Sequence, residues 1–577
     1  MPERMARVSW RLLFLGFLLS LSCLVLVGRL VQLQIVSHGY YAVEAEDEHM
    51  GTRQVLPPRG ALLDSKGYPL ALTMDSYDIY INGKVWQDST AATEGAEALS
   101  TVVGKRPNEI RAAVAKEGES RLLLAAGLDY NVGKQVEAMG LAGVEISPTI
   151  KRYHPEGDLA SSLIGFIGRD QEGLTGLEAD LQAKLGGTPG TLYFERDSLG
   201  QPIPFGFRRL IDPQPASDVK LTIDRYIQET VEKGLDDTIE KYQAIGGTII
   251  VMNPMTGAIL AMASRPSFKL SELDLTDEAK MELYRNRAVT DLYEPGSVMK
   301  VVTMSTAVDL GLVTPNTTYE DTGAAYVAGA AIRNWDFSTN GMQTMTQLLQ
   351  RSLNTGAVWV SNQIGPEHFY EYLRSFGFGE ATNVGLSGEA MGMIRDSTDP
   401  DWYPVDLATN SFGQGVSVTP LQMITAVSTI VNGGNLMRPY IVKEVVRPDS
   451  VETTEPEVVR RVISEQASRT LVSMMNEVVE GVQNHGARIP GYHVGGKTGT
   501  SYVSIEGGYS MDRVIASFVG FAPVSDPQII MLVKIDEPQV GQLGGTVAAP
   551  VFAELAPKIL NYLGVAPDSL ALVQQEH

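Results

Sequence analysis

Gly247-Thr-Ile-Ile-Val-Met-Asn253, Pro254-Met-Thr-Gly257 and Ala258-Ile-Leu-Ala-Met-Ala263 form the stretch that decides the fold of this chain. Two short apolar runs, separated by a turn with proline and glycine, predict an antiparallel strand hairpin. A helix is predicted before the hairpin, over 222–241, and many helices after it. Further on, three strand-like runs and a closing helix are predicted at 493–503, 514–521, 528–535 and 549–562. This order predicts an α+β domain with an antiparallel sheet sandwiched by helices.

A helix that carries a potential nucleophile follows the hairpin. Ser297 comes after Glu294-Pro-Gly296, and apolar residues at 298, 301, 302 and 308 indicate a helix that ends before Gly311. Lys300 lies three residues after Ser297, so helical geometry places its amine on the same face as the hydroxyl. Because a serine hydroxyl is a weak nucleophile without a base, the two residues form a candidate nucleophile–base pair.

The same Ser-x-x-Lys spacing occurs a second time, at Ser217-Asp-Val-Lys220. About one such match is expected by chance in a chain of this length. This second match overlaps a run that alternates like a strand, Val219-Lys-Leu-Thr-Ile223. Lys220 therefore has no helical register with Ser217. The sequence therefore favours Ser297 as the site residue.

Two later motifs supply the other groups that acyl transfer needs. Ser352-Leu-Asn354 offers a hydroxyl to relay a proton to the leaving amine and an amide to hold the substrate; Ser338-Thr-Asn340 also fits the Ser-x-Asn pattern. Lys497 is predicted to stay charged and, with the Thr498 hydroxyl, to bind a substrate carboxylate, while Lys300 takes the proton.

The strand that carries Lys497 continues with Gly499 and Thr500. Gly499 allows a substrate backbone to approach closely, because glycine has no side chain. The backbone N–H groups of Ser297 and Thr500 are predicted to stabilise the oxyanion, at about 3 kcal/mol per donor. Only tertiary folding can bring these distant motifs together.

Composition excludes several other classes of protein. The chain has 577 residues, enough for two or more domains, and a net charge of −22, which disfavours nucleic-acid binding. Cys23 is the only cysteine, so no intramolecular disulfide can form. The seven histidines show no metal-ligand spacing, and neither a metal nor another cofactor is predicted.

The N-terminus predicts a membrane anchor. No charged residue occurs from 12 to 28, between Arg11 and Arg29. The length of this run is near the short limit for a helix that spans a bilayer. Basic residues lie before this run, and the acidic residues Glu44, Glu46, Asp47 and Glu48 come before the next basic residue after Arg29. The positive-inside rule thus predicts a cytoplasmic tail at 1–11, a transmembrane helix at 12–29 and the remaining chain outside the plasma membrane.

A cleaved signal peptide and a lipoprotein modified at Cys23 are the alternatives to this anchor. No small-x-small cleavage site closes the apolar run, and Ser20 is not the large aliphatic residue that a lipobox requires. We therefore expect the helix to stay uncleaved.

Ser297-Val-Met-Lys300, Ser352-Leu-Asn354 and Lys497-Thr-Gly499 resemble, in this order, the motif set of penicillin-binding proteins and class A β-lactamases. With Arg59-Gly60…Asp64 and Gly176-Leu-Glu178, the likeness extends over residues 12–563 and is to the class B penicillin-binding proteins, the monofunctional peptidoglycan D,D-transpeptidases. It implies a mixed, elongated pedestal domain of the dimerisation type at 30–215 and a β-lactamase-like transpeptidase domain at 216–577.

The resemblance also implies the reaction and its partners. Ser297 would attack the D-Ala-D-Ala carbonyl of a stem peptide, and an amine of a neighbouring stem would resolve the acyl-enzyme; β-lactams would acylate the same serine. No glycosyltransferase block precedes the pedestal, so a SEDS-type polymerase in the membrane and other cell-division or elongation proteins are the expected partners. Tyr293-Glu-Pro-Gly-Ser297 is similar to the cell-division members, with an elongation-type enzyme as the alternative.

Three other functions remain open at this stage. A β-lactamase would hydrolyse the acyl-enzyme quickly, but a membrane tether and a pedestal serve no evident purpose in such an enzyme. A β-lactam receptor would need a cytoplasmic output module, and about eleven residues precede the span. A non-catalytic activator of a cell-wall polymerase would not need Ser297, Lys300 and Lys497.

Overall fold

The structure is a computed structural model that describes residues 2–41, 49–196, 203–505 and 508–568. The acidic residues Glu44, Glu46, Asp47 and Glu48 lie outside the described residues, as do the last nine of the chain. The described helices are α1 Pro2–Val31, α2 Ser89–Val103, α3 Pro107–Glu117, α4 Tyr130–Ala138, α5 Ser161–Ile164, α6 Gly176–Asp180, α7 Gln182–Leu185, α8 Arg225–Tyr242, α9 Glu278–Met281, α10 Arg287–Thr290, α11 Met299–Asp309, α12 Met345–Arg351, α13 Asn354–Ile364, α14 Pro366–Ser375, α15 Pro404–Asn410, α16 Pro420–Val431, α17 Glu465–Glu480 and α18 Gly544–Tyr562.

Strands pair into several sheets, which are mostly antiparallel. The described strands are β1 Met50–Val55, β2 Leu62–Leu63, β3 Pro69–Asn82, β4 Arg121–Asp129, β5 Val144–Tyr153, β6 Gly190–Glu195, β7 Arg208–Ile211, β8 Asp218–Leu221, β9 Gly246–Met252, β10 Ile259–Arg265, β11 Thr318–Asp321, β12 Ala324–Val327, β13 Ala330–Arg333, β14 Gly341–Thr344, β15 Asn435–Met437, β16 Val442–Val446, β17 Val451–Thr453, β18 Val458–Arg461, β19 Gly495–Ile505, β20 Gly508–Ala522 and β21 Ile529–Asp536.

Packing divides the chain into two units. The first comprises Met1–Pro58 and Gly187–Ala216, and the second Arg59–Gly186 and Ser217–His577. In the first unit, the stretch Trp10–Val36 is long and apolar enough to cross a membrane; it comprises most of α1 and the helical turn Gln32–Val36 that follows. The same unit holds a three-stranded sheet in the order β1-β6-β7.

The N-terminal part of the second unit combines helices with a mixed sheet. This sheet runs β17-β16-β8-β2-β3-β4, with β5 also paired to β3, and β2 and β8 are parallel neighbours. A buried ion cluster lies beside it: Glu178 accepts hydrogen bonds from Arg59 Nε at 2.6 Å and from Arg152 Nε at 2.7 Å. Two arginines and one glutamate from distant parts of the sequence therefore pair here as a structural cluster.

The C-terminal part contains the predicted sandwich. Five antiparallel strands follow the order β10-β9-β21-β20-β19, so the hairpin β9–β10 pairs with the three late strands. Side chains alternate along each strand between two hydrophobic cores: Ile250 and Leu532 pack on one face, and Ile249 and Val533 on the other. Helices α11, α16 and α17 contribute to the first core, and α8 and α18 contribute to the second.

The closing helix begins five residues before the predicted start, at Gly544. Two prolines lie inside α18, and a proline cannot donate the hydrogen bond that the carbonyl four residues earlier would accept. For Pro550 this carbonyl belongs to Thr546, and the Tyr242 hydroxyl donates to it at 3.0 Å. A side chain from α8 thus replaces the missing helical hydrogen bond and lets the helix extend.

Candidate active site

Ser297 and Lys300 are close together at the start of α11. Ser297 lies in a 3-10 turn, Gly296–Val298, directly before the α-helix at Met299. Lys300 Nζ is 3.0 Å from Ser297 Oγ, and the lysine is 1% exposed. The predicted proximity of hydroxyl and amine is therefore present, although the serine lies in the 3-10 turn before the α-helix and not in the α-helix itself.

The other contacts of Lys300 determine which way its amine points. Its Nζ donates to the carbonyl oxygen of Ser352 at 2.7 Å and to Asn354 Oδ1 at 2.8 Å. Asn354 Nδ2 donates to the Arg333 carbonyl at 2.9 Å, which fixes the orientation of that amide. A neutral amine has two hydrogens and one lone pair. In the neutral form both hydrogens have acceptors and the lone pair faces the Ser297 hydroxyl, whereas an ammonium group would donate its third hydrogen to Ser297 Oγ.

Ser352 adopts a backbone conformation that places its carbonyl and hydroxyl at the site. It follows α12 with φ 57° and ψ 46°, a left-handed conformation that is rare outside glycine. Such strain persists only where the surrounding structure enforces it, and it is frequent at functional sites. Ser352 Oγ lies 3.3 Å from Lys300 Nζ and accepts a hydrogen bond from Lys497 Nζ at 3.0 Å.

Lys497 is the second buried amine of the site. It lies on β19, is 1% exposed, and donates to the Thr498 carbonyl at 3.1 Å and to Thr498 Oγ1 at 3.3 Å. Thr498 itself is half-buried. The predicted cation thus contacts the predicted hydroxyl, and it also contacts Ser352.

The two lysines differ in how strongly the protein disfavours their charge. Burial lowers the pKa of Lys497 to about 7. Burial also lowers the pKa of Lys300 well below its usual range, and the nearby charge of Lys497 lowers it further. Lys300 is therefore the amine that is neutral first, and Lys497 is the one that keeps the proton.

The segment at 499–500 packs tightly against the serine turn. A Cβ atom at Gly296 would lie 2.6 Å from the Thr500 carbonyl oxygen, and a Cβ atom at Gly499 would lie 2.8 Å from the Pro295 carbonyl oxygen. Thr500 Oγ1 accepts a hydrogen bond from the Gly544 N–H at the start of α18, at 3.1 Å. The structure thus brings together the two residues whose N–H groups are predicted to form the oxyanion hole, and that role stays a prediction.

The second Ser-x-x-Lys sequence lies elsewhere, on β8. Lys220 forms an ion pair with Glu444 at 3.5 Å, and no hydrogen bond between Lys220 and Ser217 occurs in the described part of the chain. This difference supports the choice of Ser297 made from helical register.

Sequence reasoning missed several groups around the site. Glu294 accepts hydrogen bonds from the Gly415 N–H at 3.0 Å and the Tyr509 hydroxyl at 2.9 Å, so three distant segments meet beside the serine turn. Asp321 and Asn334 form a buried network behind Asn354. Glu294 belongs to the run Tyr293–Ser297, but nothing in that run indicates its contacts with Gly415 and Tyr509, and Asp321 and Asn334 belong to no recognisable motif.

Known protein families match both the N-terminal and the C-terminal part of this chain. A family model described as the penicillin binding protein transpeptidase domain matches residues 247–556, and one described as the penicillin-binding protein dimerisation domain matches residues 54–221. Stage V sporulation protein D of Bacillus subtilis is 34% identical over 97% of this chain and 87% of its own length. The peptidoglycan D,D-transpeptidase FtsI of Escherichia coli is 30% identical over 98% of this chain and 93% of its own length.

Solved structures agree with these sequence matches. Penicillin-binding protein 2X of Streptococcus thermophilus has a TM-score of 0.74 and 26% identity over 89% of this chain and 80% of its own. Penicillin-binding protein 3 of Mycobacterium tuberculosis, in complex with aztreonam, has a TM-score of 0.69 and 26% identity over 90% of this chain and 98% of its own.

An antiparallel sheet between helices, with a serine and two lysines clustered beside it, defines the class of the serine acyltransferases that react with penicillin. Within this class the chain carries both a dimerisation and a transpeptidase domain. It belongs to the class B penicillin-binding proteins, the monofunctional peptidoglycan D,D-transpeptidases.

Proposed function

We propose that Ser297 is the nucleophile of the transpeptidation reaction and that Lys300 is its general base. The observation that carries this assignment is the saturation of both Lys300 hydrogens by the Ser352 carbonyl and Asn354 Oδ1. The lone pair of Lys300 Nζ then faces Ser297 Oγ, which lies 3.0 Å from this nitrogen. The low pKa of Lys300, caused by burial and by Lys497, keeps this lone pair free of a proton.

The remaining steps use the groups around Ser352. Ser297 Oγ attacks the penultimate D-Ala carbonyl of a stem peptide, the C–N bond to the terminal D-alanine breaks, and that amine leaves with the proton taken from the serine. Ser352 Oγ, in contact with both lysines, is suited to pass this proton to the leaving amine. An amine of a second stem peptide then attacks the acyl-enzyme, releases Ser297 and forms the cross-link.

Substrate binding is assigned to the segment from Lys497 to Thr500. The Lys497 ammonium and the Thr498 hydroxyl would bind the terminal carboxylate, and the substrate backbone would lie against β19 at Gly499, whose missing Cβ lets the strand pack on the serine turn. The Ser297 and Thr500 N–H groups would stabilise the oxyanion, supported by the close packing of Gly296 on Thr500. A β-lactam presents the same carbonyl and carboxylate and would acylate Ser297.

The place of this reaction in the cell follows from the anchor and the relatives. The helix Trp10–Val36 would hold the enzyme in the bacterial plasma membrane, with residues 1–11 in the cytoplasm and the catalytic domain outside. The matches at 54–221 and 247–556 support a pedestal at 30–215 and a transpeptidase domain at 216–577. Similarity to the E. coli FtsI transpeptidase supports a role in septal synthesis, with a SEDS-type polymerase supplying the glycan.

Mass spectrometry of the intact protein after incubation with benzylpenicillin tests this function. We expect a stable adduct that peptide mapping places on Ser297, and that is lost in Ser297→Ala but kept in Ser217→Ala. Consumption of the drug without an adduct would indicate a β-lactamase. A folded protein that neither binds nor consumes the drug would indicate a non-catalytic activator.

Depletion of the protein in its native cells tests the place of the reaction. Filamentous cells without septa would support the septal role, and loss of rod shape would instead support an elongation-type enzyme. Co-purification of a polytopic glycan polymerase with the full-length protein, and its loss after exchange of residues 10–36 for another transmembrane helix, would support the proposed partner.

A further inference from the structure

Asp321 is a buried carboxylate at the end of β11, behind the site. It is 0% exposed, and among the described side chains no Lys, Arg or His forms an ion pair with it. Five donors surround it instead: Asn334 Nδ2 at 2.9 Å, Asn340 Nδ2 at 2.7 Å, the Thr355 hydroxyl at 2.8 Å, and the N–H groups of Gly323 and Asn340 at 3.0 Å each. Burial alone would raise the pKa of Asp321, but these hydrogen bonds outweigh it and hold the pKa below its usual value.

Asn334 connects Asp321 to the helix that carries Asn354. An ionised carboxylate only accepts hydrogen bonds, so Asp321 compels the Asn334 amide to turn its NH₂ group inward. The Asn334 oxygen must then face the other way, where it accepts from the N–H groups of Asn354 at 3.0 Å and Thr355 at 3.3 Å.

These two N–H groups are the first of α13, which has no local side-chain cap. The initial N–H groups of a helix lack partners within the helix, and a side-chain oxygen usually satisfies them. Asn334, which is 1% exposed, acts here as a remote cap. Asp321 and the Ser338 carbonyl, which accepts from Asn334 Nδ2 at 3.1 Å, hold this orientation together, so the carboxylate helps to fix the first turn of α13.

The first residue of α13 is Asn354, whose Oδ1 accepts a hydrogen bond from Lys300 Nζ at 2.8 Å. A shift of this turn would release one of the two acceptors that direct the Lys300 lone pair to Ser297. The path from Asp321 to the reacting atoms therefore consists of three hydrogen bonds, through Asn334 and Asn354.

We propose that Asp321 is a positioning residue for acyl transfer, which fixes Asn354 against Lys300 through the Asn334 amide. This inference rests on the proposed function, since it concerns the orientation of the proposed base. Asp321 touches neither Ser297 nor the segment proposed to bind substrate, so its removal should impair the acylation step rather than the binding of the drug.

The test is the acylation of full-length protein by a fluorescent penicillin, with the limiting rate and the dissociation constant measured separately. Asp321→Asn keeps the shape of the side chain but places an NH₂ group against donors, so the Asn334 amide loses its charged acceptor and is held less firmly. We expect the limiting acylation rate to fall at least tenfold, with the dissociation constant changed less than twofold. An unchanged rate would overturn the inference.

A double mutant distinguishes positioning from a general loss of structure. If Asp321 acts through Asn354, Asp321→Asn should change the rate less than twofold in an Asn354→Ala background. Independent, multiplicative losses would contradict the proposal. Asp224→Asn is a matched control, because Asp224 is also buried and caps α8 by accepting from the Tyr226 N–H at 3.0 Å. It should lower the melting temperature but leave the acylation rate within twofold.

Asn334→Ala provides a second, independent route to the same conclusion if Asp321→Asn does not fold. It removes the connecting amide without touching the carboxylate, and it should also lower the limiting rate at least tenfold. A folded Asn334→Ala protein with the wild-type rate would overturn the inference. Wild-type protein that takes up no penicillin would overturn the proposed function as well, whereas normal uptake by both variants overturns only the role of Asp321.

Discussion

Lys300 and Lys497 lie on either side of one hydroxyl: Ser352 Oγ is 3.3 Å from the first Nζ and 3.0 Å from the second. Two ammonium groups in such a buried position would repel each other strongly. Burial lowers the pKa of both lysines, which removes this repulsion. The charge of Lys497 lowers the pKa of Lys300 further. One proton shared unequally between two lysines thus gives the site both a base and a cation.

This arrangement predicts a bell-shaped pH dependence of the acylation of Ser297 by an anionic penicillin. As the pH falls through the pKa of Lys300, the base becomes protonated and the rate drops. As the pH rises through about 7, Lys497 loses its proton and no longer attracts the carboxylate. The second-order rate constant should therefore be halved near that pH and fall about tenfold one unit higher.

Lys497→Arg tests the alkaline side of this profile. Arginine remains charged because its pKa is above 12. Even if its bulk lowers the maximum rate, the alkaline decrease should disappear when the rate constant is measured from pH 6 to pH 9. The same alkaline decrease in wild type and Lys497→Arg would show that another group controls it.

Replacement of the proposed base gives the next prediction. Lys300→Met retains the length of the side chain but removes the amine, so penicillin acylation should fall about 10³-fold, within the range for loss of a general base. Rates are measured by gel fluorescence with a labelled penicillin. Lys220→Met is the matched control, since Lys220 belongs to the second Ser-x-x-Lys sequence and pairs only weakly with Glu444. Equal effects of both substitutions would contradict the assignment.

Much of the fold could be predicted because its elements are strongly patterned. The hairpin at β9–β10, the three late strands and the helix after Ser297 all show clear periodicity or turn signals. Their bounds agree with the structure to within two residues, except that β20 begins at Gly508, six residues before the predicted start. The start of α18 could not be predicted, because the Tyr242 hydroxyl that compensates for Pro550 comes from a helix about 300 residues earlier. Such a contact leaves no local signal.

The site also contains residues that could be predicted from the sequence and residues that could not. Ser297, Lys300, Ser352, Asn354 and Lys497 could be found because they occur in short motifs at fixed spacing. The helical register also predicted the contact of Ser297 with Lys300. Asp321 and Asn334 could not be found, because they contact α13 only after β11 and β13 have packed against it. An aspartate and an asparagine in a loop-rich segment usually indicate turns.

The buried ion cluster of the N-terminal part predicts a large effect on stability. Glu178 is 0% exposed and forms ion pairs with both Arg59 and Arg152. Glu178→Gln would leave two buried guanidinium groups without their counterion, at a cost of about 3–5 kcal/mol in the free energy of unfolding. Urea titration measures this change. Glu109→Gln, at an exposed ion pair with Arg106, should stay within about 0.5 kcal/mol of wild type.

The last prediction concerns the tight turn before the nucleophile. Gly296 has φ 55°, and a Cβ atom there would lie 2.6 Å from the Thr500 carbonyl oxygen, so Gly296→Ala must both strain the backbone and push the serine turn away from β19. Gly311, just beyond α11, has a similar φ of 70° but open space around its Cβ position, so Gly311→Ala carries the backbone strain alone. We expect each variant to lose about 1–2 kcal/mol of stability from this conformation.

Only Gly296→Ala should in addition be acylated by penicillin at least tenfold more slowly, because Ser297 would no longer lie against the segment proposed to bind substrate. Similar acylation rates for the two variants would show that the contact between Gly296 and Thr500 does not position the nucleophile.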